Sequence, residues 1–176
     1  MSFCIRPEKP EDFVEIRILI EDAFKNEILS DHTEQLLVER LRKSPAYVPE
    51  LAFVATDNNK IVGCLLLTKI KITNKTKESE ALTLAPVAVL TEYQKRGIGS
   101  KLIKHAHQKA KELQFGSIFL VGHETYYPKF GYQLANKYSI QFPFDAPLIN
   151  CMAIELYPKA LESITGMITY PEAFFK

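Results

Sequence analysis

Apolar positions change period several times along the chain, and each change predicts an element boundary. Residues 3–6 read as a short strand stopped by Pro7. Over residues 10–25 the apolar side chains fall at Phe13, Ile16, Ile20, Ala23 and Phe24, the spacing of one helix face. Asp31-His32-Thr33-Glu34 has the form of a capping box, opening a second helix with Leu37 and Leu41 on one side. Runs at 51–56 and 61–72 are strand-like, and the polar Asp57-Asn58-Asn59-Lys60 between them predicts a hairpin turn. Residues 73–80 are hydrophilic and read as a loop.

Residues 81–90 are apolar and β-prone but contain Pro86, which has no backbone donor and so marks a bulge, an edge or a break in pairing. Beyond Gly97, Ile98, Leu102, Ala106, Ala110 and Leu113 form one helical stripe. Phe115-Gly116 ends it, with Gly116 placed for a left-handed cap. Residues 117–121 read as a buried strand, and 132–141 and 151–157 as two more. The β-α-β unit over 81–121 predicts a parallel strand pair, whereas the earlier hairpin is antiparallel. The fold class is therefore α/β in the mixed α+β sense: a mixed central sheet of about six to seven strands with helices on its faces. Without repeat, low-complexity tract or linker, residues 1–176 read as a single domain.

Composition narrows the function classes. With 176 residues, 47% apolar and 24% charged, the chain is long enough to bury a core without metal or disulfide staples. A net charge of +1 gives no global field for nucleic acid or anionic lipid, so any basic site is local. Cys4, Cys64 and Cys151 form no metal-ligand spacing, and His105 and His107, two positions apart, do not share a helix face. No metal is expected. The amino terminus shows no signal-peptide pattern, and no apolar run approaches the roughly 18 residues that cross a membrane. A cytoplasmic location is the expectation.

The local basic site is the stretch EYQKRGIGSKL, residues 92–102. The first amides of any helix lack internal acceptors and carry partial positive charge, so they form an anion site. Glycine lets a bulky anion approach the backbone. Lys95, Arg96 and Lys101 add charge, and the loop reads as a phosphate cradle. It is not a nucleotide P-loop, since GxxxxGK[ST] is absent, and GxGxxG fails because Leu102 holds its third glycine position.

Gln94-Lys95-Arg96-Gly97-Ile98-Gly99 matches [QR]xxGx[GA], after the strand-like APVAVL and at the start of an amphipathic helix. Downstream, Tyr127-Pro128-Lys129-Phe130-Gly131-Tyr132 matches a Tyr-x-x-x-Gly-aromatic motif, within the wider run that begins at Gly122. Together they resemble the GNAT superfamily of acetyl-CoA-dependent N-acetyltransferases, in particular a bacterial subgroup of predicted N-acetyltransferases, and the order of elements agrees over nearly the whole chain. The resemblance implies a GNAT-like three-layer fold, with acetyl-CoA as co-substrate. Carried over, the pyrophosphate would sit on the loop that Gln94 begins, with Lys95, Arg96, Gly97, Ile98, Gly99 and Ser100 as backbone donors. Val87 and Val89 would offer backbone groups to the pantetheine arm, and Lys101 or Lys104 would reach the 3′-phosphate. Tyr127 would be the general acid.

The implied chemistry makes three demands. An alkylamine, with a pKa near ~10, must lose its proton. The thioester carbonyl needs a donor, and the leaving thiolate a proton. Tyrosine, with an ordinary pKa of about 10, stays protonated at neutral pH and suits the last task. Tyr126 is the neighbour that could be confused with Tyr127. For the base, Glu80, His123 and ordered water remain open. Glu27, Asp31 and Glu34 could attract a cationic acceptor, a small-molecule or peptide amine. A non-catalytic acetyl-CoA-binding module and a transferase using another acyl-CoA are the alternatives. The apolar residues 164–175 either pack on their own core or form a dimer contact, so monomer and homodimer both stand.

Overall fold

The hairpin turn fixes the register of the central strands. In the computed structural model, which describes residues 3–28 and 30–175, β2 (Tyr47–Asp57) and β3 (Lys60–Thr73) pair antiparallel, closing at Asp57 opposite Lys60. Asn58 and Asn59 both take positive φ, +47° and +65°. Two left-handed residues match the turn to the right-handed strand twist, and asparagine tolerates that conformation.

From this turn, side-chain alternation sorts two layers. Leu51, Phe53 and Ala55 of β2 enter one apolar cluster with Leu102, Ile103, Ala106 and Ala110 of α3 (Ile98–Glu112). Ala52 and Val54 enter another, with Ile16, Leu19 and Ile20 of α1 (Phe13–Phe24) and Val38 and Leu41 of α2 (Glu34–Arg42). The sheet thus lies between α3 on one face and α1 with α2 on the other. β3 is buried on both faces from Ile61 to Thr68, which is why its sequence is continuously apolar rather than alternating. Each large aliphatic side chain buried this way contributes about 1.5–3 kcal/mol.

The sheet has nine strands among the described residues. β1 (Cys4–Pro7), β2, β3, β4 (Glu78–Val89), β5 (Ser117–Val121), β8 (Cys151–Glu155) and β6 (Gln133–Leu134) lie side by side in that order, while β9 (Gly166–Thr169) pairs the far end of β3 and β7 (Ile140–Gln141) pairs β9. β4–β5 is parallel, as the β-α-β pattern predicts; so is β7–β9, and the remaining pairs are antiparallel. The count exceeds six to seven because a 3-10 turn at Ala135–Tyr138 splits residues 132–141 into two short strands, and because residues 166–169 join the sheet. That tail packs on its own chain, with Ile168 and Tyr170 buried and Phe174 against them.

Three local expectations shift. The loop at 73–80 contracts to residues 74–77, because β3 and β4 pair as far as Thr73 opposite Glu78. No capping box forms at residues 31–34: Asp31 Oδ1 accepts from Thr33 N–H at 2.9 Å and from its hydroxyl at 2.7 Å, a local turn, and α2 starts at Glu34. After α3 the left-handed residue is Gln114 (φ +65°), not Gly116, and Phe115 N–H closes back on Ala110 O at 3.0 Å. A charged anchor ties α2 to the sheet edge. Arg42 meets Glu8 through two bonds of 2.9 and 2.8 Å, with both side chains over nine-tenths buried. Tyr47 Oη donates to the same carboxylate at 2.8 Å.

Candidate active site

The site begins with a misfit in pairing. β3 and β4 match at Leu65–Val87 and again at Leu67–Leu84, so β4 carries one extra residue around Ala85-Pro86. The expectation at Pro86 resolves as a bulge, which bends the strand. The parallel β4–β5 contact covers only Leu82–Ile118 and Thr83–Phe119. Beyond it β5 stays with β8 as far as Val121 opposite Cys151. The two central strands therefore part, and a cleft of about 1020 Å³ opens between them.

The free edge of β4 supplies polar backbone. Leu90 N–H donates to Val62 O at 3.0 Å, towards β3. By strand alternation Val89 and Val87 face the other way, into the cleft they line. Val89 O accordingly accepts from Gln94 Nε2 at 3.3 Å.

At one end the cleft meets the start of α3. Gly97 is the N-cap at φ +82°, and no side chain caps the helix. A Cβ on Gly97 would meet nothing within 4 Å, so glycine is required there by backbone conformation, and open space adjoins it. Ile98, Gly99 and Ser100 open the helix, where amides have no acceptor in the first turn. Gln94, Lys95, Gly97, Ile98, Gly99 and Ser100 all line the cleft. Arg96 and Lys101 do not. They line a second cavity of about 310 Å³, Arg96 stacking 4.9 Å from the Tyr93 ring centre and Lys101 4.5 Å from that of Phe3.

Tyr127 lies in a 3-10 turn, Tyr127–Phe130, after β5. It is buried yet lines the cleft. Its ring meets Tyr132 and Tyr126 edge-on, at centroid distances of 5.7 and 5.2 Å. A Cβ on Gly122 would collide with this ring, so the glycine after β5 makes room for it. Gly122 and Asn150 hold the strap down through N–H to O and Nδ2 to O bonds, both 3.0 Å. Burial, then the neighbouring Tyr126, raises the Tyr127 hydroxyl well above the ordinary tyrosine range. Below it, Tyr132 Oη shares a 3.0 Å hydrogen bond with His107 Nε2. Burial, then Lys111, lowers His107 to about 4.

Acidic side chains also reach the cleft. Glu27, Glu34 and Asp145 line it, with His123 Nε2 3.9 Å from Glu27 Oε2. Ser30 bonds to Glu34. Asp31 is not among the lining residues, and neither is Glu80, which pairs with Lys69 at 3.4 Å on the exposed part of β4. Sequence reasoning missed the wall at Asp145, Ala146, Pro147 and Asn150. Its irregular stretch has no periodicity to reveal it. Among the described residues no cluster of three or more His, Cys, Asp or Glu is placed to hold a metal ion, and no helix is long and apolar enough to cross a membrane.

Residues 49–134 match the model of the acetyltransferase (GNAT) domain. Similar proteins include two from Escherichia coli. One, named "uncharacterized N-acetyltransferase YjhQ", is 32% identical over 97 residues, so the match spans 55% of this chain and about half of the relative, 54%. The other, "uncharacterized N-acetyltransferase YhbS", is 24% identical over 171 residues, 97% of each chain. The crystal structure of E. coli YhbS in complex with CoA shares the fold at a TM-score of 0.89 and 22% identity, covering 100% of this chain and 93% of that one. A GNAT family acetyltransferase from Brucella melitensis in complex with acetyl-CoA follows at 0.80 and 26%, covering 98% of both.

Proposed function

We propose that this chain, whose residues 49–134 match the acetyltransferase (GNAT) domain model, moves an acetyl group from acetyl-CoA to a primary amine by direct attack, with Tyr127 as general acid. We read residues 1–176 as one domain. The observation that carries the reading is the parting of β4 from β5 onto the uncapped start of α3. An extended thioester arm fits such a gap, and a phosphate group fits the amides at its end. The complexes of YhbS with CoA and of the Brucella protein with acetyl-CoA support the choice of ligand.

The chemistry follows from the residues present. An amine enters as a cation, and the carboxylates of Glu27, Glu34 and Asp145 that line the cleft attract it. It must lose a proton before attack; water is the acceptor, with His123 beside Glu27 as a partner for it. The nitrogen bonds the carbonyl carbon, and an outward N–H of the β4 edge near Val87 stabilises the developing oxyanion. The C–S bond then breaks, and the second nitrogen proton leaves to water. Burial keeps Tyr127 protonated at neutral pH, and it also makes the hydroxyl a weaker acid than a thiol. Its first service is therefore a hydrogen bond to the sulfur as negative charge grows there. The sulfur then takes a proton by way of this hydroxyl, which regains its own from solvent.

Tyr127→Phe tests this. Thiol release from acetyl-CoA is measured with a panel of propylamine, putrescine and a lysine-bearing peptide. The expected result on the best acceptor is a kcat lowered about 10²-fold or more, with CoA affinity within about twofold of native. An unchanged kcat would remove Tyr127 from the mechanism.

A further inference from the structure

The two glycines at the start of α3 answer to different neighbours. Gly97 is set by its φ of +82° and stands in open space. Gly99 has an ordinary helical backbone, yet a Cβ there would lie 3.1 Å from Tyr126 Oη and 3.7 Å from Val89 Cγ2. The Tyr126 hydroxyl therefore rests against the first turn of α3, beside the last residue of β4. It reaches across the cleft from the strap after β5. No hydrogen bond to a described residue is made by this hydroxyl.

The ring that carries it is held from three sides. Tyr127 and Phe130 meet it edge-on at 5.2 and 5.3 Å, and Lys129 Nζ lies 3.7 Å from its centre. A hydroxyl with a free proton is thus fixed beside the first-turn amides, with an ammonium group close by. Adjacent residues send their side chains in different directions, so Tyr127 sinks against Gly122 while Tyr126 points at α3.

We propose that Tyr126 is a phosphate clamp: its hydroxyl donates to a phosphate oxygen of CoA seated on the α3 amides, and position 99 is glycine to admit that hydroxyl. The proposal rests on the reading of the cleft as an acyl-CoA site. It gives the paired tyrosines separate tasks, Tyr126 at the phosphates and Tyr127 at the sulfur.

Calorimetric titration with CoA of the native chain, Tyr126→Phe, Gly99→Ala and the double variant tests it. Tyr126→Phe should weaken CoA about tenfold, the range of one hydrogen bond to a charged group. Gly99→Ala should weaken it comparably by displacing the hydroxyl. The double variant should be within about twofold of the weaker single variant, because both changes remove one interaction. Thermal midpoints without CoA identify any variant that fails to fold, and Tyr126→Phe, altering a partly exposed tip, then decides alone. Native-like affinity in folded Tyr126→Phe overturns the clamp and leaves the proposed function standing. Losses that multiply in the double variant also overturn the clamp, since Gly99 would then serve another purpose. A native chain that does not bind CoA overturns both.

Discussion

Mild acid should destabilise this protein through one histidine packed beneath Tyr132. His107 packs under Tyr132, which in turn meets the Tyr127 ring. Burial first, then Lys111, holds its pKa at about 4 against an ordinary 6.5. A depressed folded-state value means that the unfolded chain binds the proton more readily. The associated stability is present above pH ~6.5 and is lost as pH falls towards 4. The whole window is worth about 3 kcal/mol, and about 2 kcal/mol of it falls between pH 7 and 5. For a chain of this size that lowers Tm by about 4–8 °C. The depressed carboxylates do not confuse this interval: Asp22 lies at about 2, and Asp12, Asp31 and Glu112 below their ordinary values, all titrating mainly below pH ~5. His107→Gln removes the titration and keeps a polar group for Tyr132. Urea unfolding of both proteins at pH 7 and 5 gives the two losses. The native chain should lose about 2 kcal/mol more than the variant. Equal losses would show that His107 is not held neutral by its burial, and the reasoning would fail.

Removing one partner of the buried Glu8–Arg42 pair leaves the other charge unmatched. Arg42→Met should cost about 3–5 kcal/mol in urea unfolding, and a loss below ~1 kcal/mol would mean that water reaches Glu8. Gly122→Ala pushes a methyl into the Tyr127 ring. It should cost about 1–3 kcal/mol of stability and lower kcat, with CoA affinity kept within about threefold; a loss of affinity without a loss of kcat would contradict the placement of Tyr127 at the reacting end.

The parts of the fold that local chemistry dictates were legible. Asn58-Asn59 announces its turn, Pro86 its bulge, and the stripe from Ile98 to Ala110 its helix, because each signal acts through the backbone or through a single face. The start of α3 at residues 97–98 was legible for the same reason, with Gly97 in the left-handed N-cap position. Side-chain direction around it was not. Lys95 enters the cleft, whereas Arg96 and Lys101, read as part of the same basic patch, turn to Tyr93 and Phe3. Successive positions of a tight loop and a helix point to different quarters, and only the fold says which quarter holds the cleft. Glu80 was misplaced as a candidate base because the strand carries it beyond the cleft, to Lys69. The same limit hid the wall at Asp145 and Pro147, whose place depends on contacts distant in sequence.

The central claim is that the cleft at the parted strands holds an acyl-CoA on the α3 amides. Its most direct test is calorimetric titration with acetyl-CoA of the native chain, stripped of copurified coenzyme, and of Gly97→Glu. The open space around Gly97 lets the variant fold at a backbone cost of about 1–2 kcal/mol, checked by its melting curve. The account predicts micromolar binding to the native chain, weakened about 100-fold or more by a carboxylate in the phosphate position. Folded native protein that takes up no acetyl-CoA, or a folded Gly97→Glu that binds as the native chain does, would contradict it.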